Sequence, residues 1–251
     1  MSTATGELAV GGRSPARYLT LPAVLVVVLV ALYLGVRSQQ LDSIEQRLLA
    51  PDVLVDAVVR HLELTVVSTL LVLVIAIPLG VALTRPAAAR LTGGAIALFN
   101  IGQAIPSIGL LALFAIVWDI GFTPAIVALV AYSVLPVLRN TMVGLNQVDP
   151  AVVESGRGMG MNKLSVLTRI ELPLAVPVIL TGLRTALVIN VGTAALGVFI
   201  GAGGLGNVID GGLVQNRPVV TVVGSVLTAV LALLVDYLAG IAEDLLRPRG
   251  L

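Results

Sequence analysis

Apolar positions in this chain fall into long runs separated by short clusters of charge, and the runs are long enough to count membrane crossings. A helix needs about 20 mainly apolar residues to cross a bilayer, because its backbone polar groups find partners only within the helix itself. Six charge-free intervals come close to or exceed that length: 19 residues between Arg17 and Arg37, 21 between Glu63 and Arg85, 28 between Arg90 and Asp119, 19 between Asp119 and Arg139, 25 between Arg184 and Asp210, and 18 between Arg217 and Asp236. The pattern predicts an all-α polytopic membrane protein with six transmembrane helices. The fifth has two candidate starts. Pro177 suits a first helical position, but a start there buries Arg184. A mid-helix arginine costs roughly 2.5–3.5 kcal/mol on the insertion scale, so Arg184 is expected toward the cytoplasmic end, where it can snorkel to the headgroups.

Composition narrows the function classes. Of 251 residues, 57% are hydrophobic and 12% charged, with a mean hydropathy of +1.05. An ordinary soluble enzyme, with about 25% charged residues, is excluded. The chain contains no cysteine, which removes a disulfide framework, a thiolate metal site and a cysteine nucleophile. Its single histidine, His61, reads as an interfacial residue. With 15 basic and 14 acidic residues, no excess charge points to nucleic acid.

Lysine and arginine in short loops set orientation. With the N-terminus inside, ten basic residues (Arg13, Arg17, Arg85, Arg90, Arg139, Arg157, Lys163, Arg169, Arg247 and Arg249) share one side and four (Arg37, Arg47, Arg60 and Arg217) the other. Both termini and the segment around Ala151–Ala175 are therefore expected in the cytoplasm, with residues 1–18 a cytoplasmic tail and 19–251 one transmembrane domain. The first span exceeds a signal-peptide core and lacks a small-residue cleavage site, so it reads as an uncleaved anchor. Outside, Ile44, Leu48 and Leu49 recur at helical spacing, predicting an interfacial helix between the first two spans.

The segment 149–176 is the most informative. Asp149-Pro150 is a helix start, with Asp149 as cap and Pro150 at the first helical position. Gly156, Gly158 and Gly160 weaken that helix. Asn162 caps a second short one carrying Leu164, Leu167 and Ile170, which Pro173 is expected to close. A helix-turn-helix on the membrane surface results.

Its residues match a known pattern. Glu154-Ser155-Gly156, Gly160, Ile170, Leu172 and Pro173 fall at the spacing of the EAA loop: Glu-Ala-Ala, then Gly after three residues, then Ile-x-Leu-Pro after nine more. Ser155 and Gly156 replace the two alanines, and both are small. The chain thus resembles the permease subunits of binding-protein-dependent ABC importers, with a MetI-like core. Gln103-Ala104-Ile105-Pro106-Ser107, Tyr132-Ser133-Val134-Leu135-Pro136, Gly182-Leu183-Arg184-Thr185-Ala186 and Ile200-Gly201-Ala202-Gly203-Gly204-Leu205-Gly206 look like the osmoprotectant branch, which carries glycine betaine, choline and carnitine. Importers for methionine and other small solutes share the architecture.

The resemblance implies several things. The loop, with Glu154, Ser155, Gly156, Arg157, Gly160, Met161, Ile170, Leu172 and Pro173, docks in a groove of a separate ATP-binding subunit. Glu154 and Arg157 pair with each other or with that subunit. A second permease chain, identical or paralogous, completes the pathway, and an external binding protein delivers the solute to a bacterial cell membrane. The chain itself is a transport subunit rather than an enzyme. It has no phosphate-binding loop and only one lysine, Lys163, so ATP and Mg are expected on the partner and no cofactor on this chain. Gly201-x-Gly203-x-x-Gly206 matches the dinucleotide fingerprint by letter but lacks its βαβ context; these glycines read as a tight turn.

Polar residues within spans suggest a path. Asn100, Gln103 and Ser107 sit at i, i+3 and i+7 in the third span, and Thr181, Thr185, Asn190 and Thr193 recur in the fifth. Such stripes either line a water-filled path or hold helices together. Phe99, Phe114, Trp118, Phe122 and Tyr132 form no evident cage for a quaternary ammonium ion. The alternatives are an ion-coupled secondary transporter, which needs charge near the bilayer midplane, and a passive anchoring protein.

Overall fold

The computed structural model describes residues 15–246, and among these every regular element is helical. Arg13, Arg247 and Arg249, which entered the orientation argument, lie outside the described residues, as does most of the 1–18 tail. The chain divides into two compact units, Met1–Gln40 and Leu41–Leu251. The first contains α1, Pro15–Arg37, whose Tyr18–Arg37 stretch is long and apolar enough to cross a membrane.

The second unit opens with α2, Ser43–Leu48, the short helix expected from Ile44 and Leu48. Asp42 caps it: its Oδ1 accepts from the Ile44 and Glu45 amides at 2.9 and 2.8 Å, and Glu45 reaches back to the Asp42 amide at 3.0 Å. That is a reciprocal capping box. Next, α3 runs unbroken over Pro51–Leu83, starting before the charge-free interval did. At 1.5 Å per residue it is about 50 Å long, so its first turns, with Asp52, Asp56, Arg60 and Glu63, extend past the hydrocarbon. The charges marked where lipid begins, not where the helix does.

The third span is broken. It consists of α4, Ala89–Ala104, and α5, Ser107–Val117, which meet at 96°. Pro106 is the cause: a proline pushes the residue before it out of the helical region, and Ile105 is extended at φ −72°, ψ 130°. Counting the bent pair as one, six spans are present among the described residues; without it, five.

At the centre, α6 (Phe122–Asn146) packs against α3 and against α9, Leu172–Ala194. Val72 and Ala76 of α3, Val134, Val137 and Leu138 of α6 and Ala186 of α9 are fully buried together. Small residues bring the backbones close, as helix packing in lipid favours. A Cβ at Gly80 would lie 2.7 Å from the Thr141 methyl, and one at Gly182 would lie 2.9 Å from the Pro136 carbonyl oxygen.

Between α6 and α9 come α7, Pro150–Gly158, and α8, Lys163–Val166, followed by a π-helical turn, Leu167–Glu171. Pro173 does not close this stretch. The Leu172 amide bonds to the Leu167 carbonyl, and Glu171 keeps helical dihedrals (φ −64°, ψ −52°), so the helix runs on through Pro173, whose missing N–H falls where the wider π-helical turn has already displaced the hydrogen-bond ladder. The fifth span therefore starts earlier than expected, and Lys163–Ile200 reads as one long crossing.

That span ends earlier too. A 3-10 turn, Ala195–Ile200, leads into Gly201, Gly203 and Gly204, with φ of 67°, 88° and 91°, a tight turn as expected. Leu205–Val214 then forms a separate short helix, α10, and α11 covers Pro218–Leu246. Arg184 consequently sits well inside α9, not at an end. Its Nε and Nη2 donate to Asp236 at 3.0 and 2.9 Å, and its Nη1 donates to Glu243 at 3.2 Å. Carboxylates on α11 replace the headgroups it was expected to reach.

Candidate functional site

Capping chemistry builds the 149–176 segment. Asp149 Oδ1 accepts from the Ala151 amide at 2.8 Å and Asn162 Oδ1 from the Ser165 amide at 2.8 Å, so both predicted caps are in place. The end of α7 is a Schellman motif: the Met161 amide bonds to Gly156 O at 3.2 Å and the Gly160 amide to Arg157 O at 2.9 Å. It requires a left-handed residue, and Gly160 has φ +84°. Gly156 is buried, and a Cβ there would lie 2.5 Å from Ile170 Cδ1 and 3.4 Å from Met161 Sδ. Several positions of the loop pattern are thus one packing unit that folds α7 back onto the π-helical turn.

The opposite face of α7 carries Glu154, Ser155 and Arg157, all exposed. Ser155 Oγ donates to its own helix at Ala151 O, 2.8 Å. Among the described residues neither Glu154 nor Arg157 enters an ion pair. Both line a cleft of about 270 Å³ with Thr84, Arg85, Asn146 and Glu171. A second, about 690 Å³, lies beyond Arg157 between Lys163, Leu164 and Pro86.

One ion pair borders both clefts. Arg85 Nη2 donates to Glu171 Oε2 at 2.6 Å and Nη1 to Oε1 at 3.3 Å, while Arg85 Nε holds Val81 O of α3 at 3.2 Å. Glu171 is buried at 8% exposure. Neither residue was singled out from sequence. The available signal was their placement: Arg85 ends one charge-free run, and Glu171 stands directly before Leu172-Pro173 on the same predicted side.

The candidate path residues do not form a single stripe. Ser107 opens α5, beyond the bend, so it does not share a straight helical face with Asn100 and Gln103. Asn100 Oδ1 accepts from Arg139 Nη2 at 2.7 Å, and Gln103 Nε2 donates to Tyr132 O at 3.0 Å; both join α4 to α6. Asn190, fully buried, donates through Nδ2 to Thr69 of α3 at 3.0 Å, and Thr193 is also buried. Thr185 differs: it is exposed and lines a hollow of about 370 Å³ with Thr181, Arg184 and Asp236.

His61 is fully buried rather than interfacial. Its Nε2 bonds to Val191 O at 2.9 Å, and its Nδ1 accepts from the Leu205 amide at 3.3 Å. One acceptor and one donor fix the neutral ring with the proton on Nε2. Beside it, Arg60 Nε donates to Ala202 O at 3.1 Å, and its guanidinium lies over the Phe122 ring, 4.2 Å from the centroid. Adjacent residues of α3 therefore clamp the glycine turn.

Comparison with known proteins places this geometry. The family profile "Binding-protein-dependent transport system inner membrane component" matches residues 76–248. The chain is 41% identical over 192 residues to the glycine betaine/carnitine/choline transport system permease protein OpuCB of Bacillus subtilis, covering 76% of this chain and 88% of that protein. It is 43% identical over 190 residues to the carnitine transport permease protein OpuCD of Listeria monocytogenes, covering 75% and 84%. With the osmoprotectant import permease protein OsmY of Salmonella typhimurium, identity is 42% over 179 residues, covering 71% and 76%. Among solved structures, an inward-facing MetNI methionine ABC transporter chain superposes with a TM-score of 0.69 at 28% identity, covering 78% of this chain and 96% of that one. The chain belongs to the inner membrane components of binding-protein-dependent transport systems, the permease subunits of ABC importers.

Proposed function

We propose that this permease carries quaternary ammonium osmoprotectants such as glycine betaine, choline or carnitine, with α7 as the helix that docks on a separate ATPase subunit. Permeases so named, 41–43% identical to this chain, support the solute class. The observation that carries the coupling role is the build of α7: capped at both ends, packed on one face through Gly156, and presenting Glu154 and Arg157 over open clefts on the other. A rigid helix with one free charged face is what a docking element requires.

Membership of the family supports the following cycle. Two permease chains enclose the pathway, two ATPase subunits hold ATP and Mg and seat against α7, and an external binding protein delivers the solute. ATP binding closes the ATPases and opens the path outward; hydrolysis returns it inward. The orientation with both termini and the 149–176 segment in the cytoplasm belongs to the same proposal, as does a permease domain spanning 19–251. Thr185, exposed in its hollow, is the candidate path residue best placed to meet the solute.

Uptake by vesicles containing permease, ATPase and binding protein tests the reading. Glu154→Lys is expected to abolish ATP-dependent uptake of labelled glycine betaine and to reduce ATPase co-purification. Unchanged uptake in that variant overturns the docking role, and uptake driven by an ion gradient without ATP overturns the energy source.

A further inference from the structure

Between α7, where force would enter, and the spans, where it must arrive, the chain runs back through residues 147–149 to α6 and onward through α8 and the π-helical turn to α9. Neither of these covalent routes leads to α3. Yet α3, α6 and α9 pack as one group, and a path that opens and closes needs them to move in step. The Arg85–Glu171 pair supplies a direct polar link to the α3 side. Glu171 belongs to the π-helical turn whose Ile170 meets Gly156 of α7; Arg85 lies two residues past the end of α3 and is tied back to it through Val81 O.

Three features make this pair a stiff connection rather than a surface contact. Its fork is bidentate, at 2.6 and 3.3 Å, which fixes relative orientation as well as distance. Its carboxylate is largely removed from water, with the Glu171 side chain 11% exposed against 38% for Arg85, so solvent competes for the guanidinium but only weakly for the carboxylate. Its guanidinium is held on its own side by Val81 O at 3.2 Å, so a displacement of Glu171 pulls on the α3 backbone instead of rotating a loose side chain. Leu167 and Leu172, at either end of the same turn, share an apolar cluster with Ile77 and Val81 of α3, and to that non-directional contact the pair adds a fixed orientation.

We infer that Arg85 and Glu171 are positioning residues that link the α7 docking segment to α3, so that the ATPase stroke moves α3 together with α9. This rests on the docking role of α7 proposed above. In reconstituted importer, containing permease, ATPase subunits and binding protein, solute taken up per ATP hydrolysed is the quantity to measure. Glu171→Gln and Arg85→Gln are each expected to lower that ratio about tenfold, the scale set by losing a charge-assisted hydrogen-bonded pair, while ATPase subunits still co-purify and hydrolyse ATP. A merely structural role would instead lower the amount of assembled complex and leave the ratio per complex unchanged. Arg85→Lys, which keeps the charge but loses the fork, provides a milder variant if either glutamine variant fails to insert, with a severalfold fall expected. A ratio within twofold of the unmodified importer in these variants overturns the link. Loss of ATPase co-purification in Glu154→Lys with the ratio intact in Glu171→Gln would overturn the link while sparing the docking role; unchanged uptake and unchanged ATPase co-purification in Glu154→Lys would overturn the docking role itself.

Discussion

A proline inside a helix leaves the carbonyl four residues earlier without its usual donor. Pro136 lies inside α6, so the orphaned carbonyl is that of Tyr132, and Gln103 of α4 donates to it at 3.0 Å. Gln103→Leu keeps roughly the same volume but leaves that carbonyl unpaired, and is expected to cost about 1–3 kcal/mol. Thermal unfolding of the detergent-solubilised permease checks this as a lowered midpoint, with Asn100→Leu, whose Arg139 partner is exposed, lowering it less. The sequence was legible here to the level of residue choice and no further. Polarity within a span marked Gln103 and Asn190 as special, but partner identity decides between lining a path and joining helices, and partners come from other helices. His61 shows the same limit: a lone histidine near charged neighbours reads as surface, while its two backbone partners, Val191 and Leu205, exist only once the glycine turn folds against α3. Glu171 escaped notice because an acidic residue in a charged loop ordinarily has water for company.

Among the elements, charge spacing located five of the crossings and α7 and α8 followed from their caps, because both signals are local. What charge spacing does not report is a break, since Pro106 and the glycines at 201, 203 and 204 carry no charge; hence the 96° bend and the early end of α9. It also misjudged the start of α3, which Pro51 at the first helical position and Asp52 in the first turn place ahead of the apolar run. The small helix α2 offers a test of local chemistry. The Glu45 amide, then Arg217 and the Ile44 amide, hold the Asp42 carboxyl below the ordinary aspartate range against the opposing effect of its partial desolvation, and Arg217 Nη2 lies 2.7 Å from its Oδ2. A lowered pKa in the folded state contributes stability that is present above the unfolded-state value and is lost as pH falls through the folded-state value. The protection of the Ile44 and Glu45 amides, measured relative to their intrinsic exchange rate at each pH, is therefore expected to hold through neutral pH and to fall only below about pH 4. Asp42→Asn, which retains a capping oxygen but no charge, should remove that acid sensitivity.

At the level of the whole molecule, α9 and α11 are joined by charge as well as by apolar packing. Arg184 meets Asp236 and Glu243 with its side chain one-third exposed. Removing one member strands the others, so Arg184→Leu and Asp236→Leu should each destabilise the fold by more than the double variant implies, with a coupling energy of about 0.5–3 kcal/mol read from unfolding midpoints of all four proteins. Uncoupled, additive effects would show that Glu243 alone satisfies Arg184. The membrane class and the family were legible because they depend on composition and on spacing within one loop. This triad was not, because its members are far apart in the chain and each, taken alone, sits where a charge near a span end is ordinary.

That separation has a consequence for how the protein is made. The partners of Arg184 are 52 and 59 residues downstream, and at about 5–20 residues per second of synthesis the arginine waits on the order of 3–12 seconds before either carboxylate exists. During that interval the nascent α9 carries a positive charge without its carboxylate partners, so its pairing with α11 is a late step in the assembly of the bundle.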